Sequence, residues 1–240
     1  MKINRLTQSI VVRRWMALVT GFGLIYVSFG IYFWATQIDK VLAPRADMPS
    51  NPARMGLKHT DLQIPLVPSD GSAATTLPAF WIHAKAADSP ILLYLHGQDA
   101  TRGKNLEHAE SFHQCGFHVL VIDYRGFAET FDKEQPSEAK VYEDALAALI
   151  YLKKNYPEHV IFIHGHSLGG AIAIELATRP EADGTAGLIV ESTFTSVLDM
   201  SALKYYGLLR CLPVRLLLNQ RFNSIDKIHR VERPILLIHG

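Results

Sequence analysis

Cysteine is almost missing from this 240-residue chain: Cys115 and Cys211 stand alone and far apart. Two such residues form neither a disulfide framework nor a thiolate zinc site, and both read as small apolar fillers. No charge of one sign dominates, since 24 Lys and Arg face 23 Asp and Glu for a formal net charge of +1. Nor does any basic run interleave with aromatics, which excludes a phosphate-tracking nucleic-acid surface. No internal repeat is visible.

Charge is also missing locally. Between Trp15 and Ala35 no charged residue occurs, and about 20 apolar residues suffice for a helix to cross a ~30 Å hydrocarbon core. Trp15, Tyr26, Tyr32, Phe33 and Trp34 include aromatics near both ends, where amphipathic rings favour the interface. Lys2, Arg5, Arg13 and Arg14 precede the run, whereas Asp39, Lys40, Arg45 and Asp47 beyond it roughly cancel. The expectation is a single-pass membrane protein with residues 1–14 as a basic cytoplasmic N-terminus, 15–35 as a transmembrane signal anchor, and the rest outside the cytoplasm. A cleaved signal is disfavoured: the run exceeds a usual signal core, and Ala35-Thr36-Gln37 makes a poor cleavage site. A buried core helix is disfavoured further.

Residues 36–56 are rich in Asp, Pro, Ser, Asn and Arg without apolar periodicity, which predicts a linker holding a domain off the bilayer. The domain spans 57–240. Leu57–Pro65 and Leu77–Ala84 read as two antiparallel strands around the Pro68-Ser69-Asp70-Gly71-Ser72 turn. Then come short continuous apolar runs, Ile91–Leu95, Val119–Ile122, Val160–Ile163, Leu188–Val190 and Ile235–Ile238, alternating with helical patterns. Uninterrupted Val, Ile and Leu mark strands buried on both faces, so the fold class is α/β with a mostly parallel central sheet flanked by helices. Ser137 is placed to cap a helix whose Val141, Ala145, Ala148, Leu149 and Leu152 share a face. Residues 197–229, irregular and rich in Leu, Tyr and Arg, suit a cap. Leu203, Tyr205, Tyr206, Leu208, Leu209, Leu212 and 216–218 within it serve either an acyl pocket or, as the preferred use of most of them, helix core.

Ligands in open α/β sheets gather at the carboxyl ends of strands. There the chain places Ile161-Phe162-Ile163-His164-Gly165-His166-Ser167-Leu168-Gly169-Gly170, a G-x-S-x-G run between an apolar strand and a helix. It reads as a nucleophile elbow: Ser167 on a sharp turn that Gly165 and Gly169 permit, with the Leu168 amide free to donate to a developing oxyanion. In His96-Gly97-Gln98-Asp99, Gly97 allows a tight turn that points the Gln98 amide inward as a second donor. Asp123 and Arg125 read as loop-ordering groups.

These segments, with Asp123-Tyr124-Arg125-Gly126, Pro136-Ser137-Glu138, Glu191-Ser192-Thr193-Phe194-Thr195-Ser196 and Arg221-Phe222-Asn223-Ser224 in order, together resemble the α/β-hydrolase superfamily. The similarity is to its BEM46-like, ABHD13-like branch of membrane-anchored serine hydrolases related to the S33 peptidase group, over roughly 57–240. It implies Ser167 as nucleophile, the Gln98 and Leu168 amides as oxyanion hole, and no metal or cofactor. Ala128-Glu129-Thr130 departs from the family's usual glycine and serine. The family's triad aspartate and histidine follow the strand matching Ile235–Ile238, so neither is present at its expected place in a sequence given through Gly240. The fold is expected to be C-terminally incomplete here and this piece to show little turnover by itself, because a serine hydroxyl needs an imidazole to take its proton. His96, His164 and His166 are disfavoured as substitute bases, and Glu191 is read as structural. The expected function is hydrolysis of a small-molecule or lipid acyl ester or thioester, with amides a further option. The alternative is an inactive fragment or scaffold that binds a lipid or protein partner.

Overall fold

Seven strands form one sheet in the order β1-β2-β4-β3-β5-β6-β7: β1 (His59–Leu66), β2 (Thr75–Ile82), β3 (Ile91–Leu95), β4 (His118–Ile122), β5 (Ile161–His166), β6 (Gly187–Glu191) and β7 (Ile235–Ile238). This is a computed structural model describing residues 5–204 and 214–239. β1 pairs antiparallel with β2, and β2 with β4, while β3 to β7 pair in parallel with their neighbours. The expected antiparallel start and parallel remainder are both present, and the strands at Ile91 and Ile235 keep their expected bounds. β5 runs three residues past its expected end, because Gly165 pairs with Val190 and His166 with Glu191.

The helices are α1 (Arg5–Ala35), α2 (Gln37–Val41), α3 (Leu106–Gln114), α4 (Glu138–Asn155), α5 (Leu168–Ala177), α6 (Val197–Lys204) and α7 (Val214–Leu217). The continuous apolar pattern of β3 has a direct cause. Ile91, Leu93 and Leu95 pack with Val141, Ala145 and Leu149 of α4 and Ile172 of α5, whereas Leu92 and Tyr94 pack with Leu106 and Ala109 of α3. Both faces are covered, so no position on the strand meets water. Ser137 caps α4 by accepting from the Lys140 amide at 3.3 Å, and the five apolar residues assigned to its inner face are all buried.

β3 lies between β4 and β5, so the chain leaves it toward one neighbour and returns on the other side. That reversal places the turn after β3 beside the turn after β5, the crevice where ligands bind in such sheets.

α1 is long enough to cross a bilayer. Its apolar part, Val12–Ala35, has 24 residues and is almost entirely exposed, which at 1.5 Å per residue is about 36 Å. The segment after it is folded onto the domain. Leu42 is fully buried in the core, Thr101 Oγ1 donates to the Asp47 carbonyl at 2.9 Å, and the Ala128 amide donates to the Arg45 carbonyl at 2.7 Å. Residues 36–56, expected only to span distance, therefore contribute packing and hydrogen bonds. A second difference concerns Cys115: at the C-terminus of α3 it is exposed, not an apolar filler. Cys211, Tyr205, Tyr206, Leu208, Leu209 and Leu212 lie outside the described residues. Of the remaining leucines of the cap-like region, Leu218 is buried and Leu216 exposed.

Candidate active site

Ser167 ends β5 and begins α5 with φ 54° and ψ −117°, a left-handed conformation that costs a non-glycine residue of order 1–3 kcal/mol and persists only where surroundings enforce it. Three hydrogen bonds do so. The Ser167 amide donates to the Glu191 carbonyl at 2.8 Å, while the Ser167 carbonyl accepts from the Gly170 amide at 3.0 Å and Thr193 Oγ1 at 2.7 Å. The flanking glycines are required by contact. A Cβ on Gly165 would stand 2.1 Å from the Gly169 carbonyl oxygen, and one on Gly169 would stand 2.0 Å from that of Leu95.

The turn after β3 lies directly against this serine. A Cβ on Gly97 would sit 3.2 Å from both Ser167 Cβ and the His166 carbonyl oxygen. The structure thus brings Gly97, with Gln98 next to it in the chain, against the turn that holds Gly165, Ser167, Leu168 and Gly169. The amides of Gln98 and Leu168 donate to no other described residue, and among the described residues the Ser167 hydroxyl has no hydrogen-bond partner. A helix N-terminus beside free amides favours negative charge.

The histidines near the serine are otherwise engaged. His96 is fully buried and its Nδ1 donates to the Gly97 carbonyl at 2.9 Å. Burial pushes its pKa down to about 4, and pushes that of Asp123, 3.8 Å from its Nε2, up to about 6. At neutral pH the imidazole is uncharged, so this contact is no ion pair. His164 stacks on Tyr94 and its Nε2 lies 3.2 Å from Glu191 Oε2. His166 meets His108 edge-on at 5.1 Å, and burial lowers its pKa. Glu191 is thus tied to a histidine beneath the turn, consistent with its structural reading.

His164 allows a spectroscopic test. Burial drives its imidazole down to about 4 against the opposing pull of Glu191. A group whose folded pKa is depressed stays neutral while an exposed histidine, titrating near 6.5, protonates. Imidazole nitrogen resonances of His164 are therefore expected to hold constant from pH 8 to about 5.5, in the tautomer protonated at Nε2. A midpoint near 6.5 would contradict the burial.

Asp123 and Arg125 order loops, each through a partner that the sequence reading left unassigned. Asp123 accepts from the Arg102 amide at 2.6 Å and from its guanidinium, which also reaches Glu129. Arg125, fully buried, donates from Nε to Asp144 at 2.6 Å and from its Nη2 to Glu143 at 2.7 Å. Nothing in local spacing ties residue 102 to 123 or 125 to 144; only the fold does. Ala128, in the stretch that departs from the family pattern, has φ 44°, a conformation that glycine adopts more readily. Among the described residues no cluster of His, Cys, Asp or Glu could hold a metal ion. An open groove of about 520 Å³ runs along β1 and α4, lined by Leu66, Val67, Ile150 and Tyr151, at the sheet edge away from Ser167.

Comparison with known proteins agrees with this architecture. The family model described as serine aminopeptidase, S33, matches residues 86–240. The lysophosphatidylserine lipase ABHD12 of Danio rerio is 30% identical over 217 residues, covering 79% of this chain and 56% of the relative. Protein bem46 of Schizosaccharomyces pombe is 32% identical over 157 residues, covering 63% and 50%. The chain thus spans about half the length of these curated relatives. Among solved structures, the Pyrococcus furiosus esterase Pf2001 superposes with a TM-score of 0.61 at 22% identity, over 81% of this chain and 75% of the esterase. The matched domain, with its mostly parallel sheet and helices on both faces, makes this chain a member of the serine aminopeptidase S33 family of α/β-hydrolases.

Proposed function

We propose that this chain is the anchored nucleophile-bearing part of a serine hydrolase that cleaves acyl esters or thioesters through an acyl-Ser167 intermediate. One observation carries the reading: a strained serine, its hydroxyl unpartnered among the described residues, stands beside two amides, Gln98 and Leu168, that donate to nothing else described. That combination supports a nucleophile elbow with its oxyanion hole. Ser167 Oγ attacks the acyl carbon as its proton passes to a general base. The carbonyl oxygen takes up negative charge between the two amides. Collapse expels the alcohol or thiol, which takes the proton, and water then releases the acid by the same steps. The base and its orienting carboxylate are assigned to sequence following Gly240, where the family resemblance puts them. No metal or cofactor enters these steps.

The substrate class proposed is a lipid acyl ester. A lysophosphatidylserine lipase among the relatives favours it, and so does an apolar helix of membrane-spanning length joined directly to the domain. The basic residues before that helix favour a cytoplasmic N-terminus and an extracytoplasmic hydrolase domain. In a panel of a single-chain glycerolipid ester, an acyl thioester and an aminoacyl amide, the full-length protein is expected to hydrolyse the glycerolipid at least tenfold faster than the amide. Turnover of the amide with no ester hydrolysis would overturn this assignment.

A further inference from the structure

Three non-glycine residues with left-handed backbones converge on one arginine just beyond the anchor helix. Ala43 has φ 46°, Asp99 φ 56° and Ala128 φ 44°. Arg45 touches the last two: its Nε pairs with Asp99 Oδ1, and its carbonyl accepts from the Ala128 amide at 2.7 Å. The Asp99 amide points to the Leu42 carbonyl at 3.4 Å, and Lys104 Nζ holds the Asp99 carbonyl at 2.7 Å. Further along, a Cβ on Gly103 would stand 2.5 Å from the Ser50 carbonyl oxygen, so this segment lies tight against the loop after the turn. Asp99 immediately follows Gln98. Its own amide is drawn to Leu42, while the amide of Gln98, one residue back, donates to no described residue.

Strain of this kind clusters where surroundings over-determine a conformation for a purpose. The Arg45–Asp99 pair, with side chains 54% and 42% exposed, adds at most about 1 kcal/mol to overall stability, so its effect is on the local conformation of the turn. We propose that Arg45 and the Leu42 carbonyl are positioning elements of the site: they lock Asp99, and through it set the Gln98 amide that receives the oxyanion. The segment joining the membrane helix to the domain is then part of the catalytic geometry as well as a tether. This inference rests on the proposed hydrolase mechanism and goes beyond it by naming what holds one of its donors.

The test uses the full-length protein with Arg45→Ala and Arg45→Lys, a short-chain p-nitrophenyl ester, and a trifluoromethyl ketone that mimics the tetrahedral oxyanion. Loss of a whole oxyanion donor costs about 10²–10³ in kcat, so a displaced one is expected to cost about tenfold. KM should stay within about twofold, the ketone should weaken by the same factor as kcat, and Tm should shift by less than about 3 °C. Arg45→Lys should recover part of the loss. Wild-type kcat in Arg45→Ala overturns the inference, as does a loss that tracks a fall in Tm or leaves the ketone's affinity unchanged. A wild-type protein that fails to react with a fluorophosphonate instead sinks the hydrolase reading itself, so the two failures are distinguishable.

Discussion

Replacing Ser167 with alanine in the full-length protein is expected to reduce kcat by roughly 10⁴–10⁶-fold, to the residue of catalysis that binding and an oxyanion hole retain without a nucleophile. The size follows from the chemistry. Without Oγ no acyl-enzyme can form, and a water at that position lacks both the covalent intermediate and the alignment that the strained turn supplies. Substrate affinity should change little, because the methylene of Ser167 is retained as a methyl and the two amides remain. The fold should also survive. Ser167 is held through its backbone amide and carbonyl by Glu191, Gly170 and Thr193, and none of these bonds involves the hydroxyl. Steady-state kinetics with a matched melting curve checks both halves. A variant that retains more than a few per cent of wild-type kcat would move the nucleophile elsewhere.

Replacing Gly169 with alanine is expected to destabilise the domain by more than about 4 kcal/mol, a large part of the ~5–15 kcal/mol that holds a domain folded. The new methyl would lie 2.0 Å from the Leu95 carbonyl oxygen, 2.6 Å from its carbon and 2.7 Å from the His96 carbonyl oxygen. All three are backbone atoms at the end of a fully buried strand, so no side chain can rotate away. Either α5 lifts off the sheet or β3 shifts in register with β4 and β5, and each disrupts packing at native density. Gly71→Ala is the control. It has φ 77° and nothing within 4 Å of the added methyl, so only the left-handed backbone penalty applies, about 1 kcal/mol. Urea denaturation of the two variants should therefore separate them by about 3 kcal/mol or more. Equal midpoints would mean that helix and strand do not approach as closely as described.

How legible this molecule was in its sequence depended on the range of the interactions involved. The sheet was readable because each strand carries its own signal: β3 and β7 are bounded by residues that end apolar runs, and β3 is apolar throughout because α3, α4 and α5 cover both faces. The candidate site was readable because its glycines sit beside Ser167 and Gln98 in the chain. Long-range polar partners were not readable. Arg102 for Asp123 and Asp144 for Arg125 are distant pairings fixed only by the packing of the end of β4 against the loop at residue 102 and against α4. Thr193 lies within the Glu191–Ser196 motif, yet its bond to the Ser167 carbonyl requires β5 and β6 to be adjacent. The segment 36–56 departs from its expected role for a related reason. Its polar composition suits a spacer, but it docks through buried Leu42, partly buried Ile38, Val41, Met48 and Met55, the Gln37 and Arg45 side chains and main-chain hydrogen bonds, which leave no periodic pattern.

The proposed chemistry requires above all that Ser167 be an activated nucleophile. Intact mass measurement of the full-length protein after treatment with a fluorophosphonate, followed by peptide mapping, tests this directly. A single phosphonyl adduct on Ser167, absent in Ser167→Ala, is the expected result. An unmodified protein, or an adduct that persists when Ser167 is replaced, would contradict the account and leave the domain as an α/β-hydrolase scaffold that binds rather than cleaves.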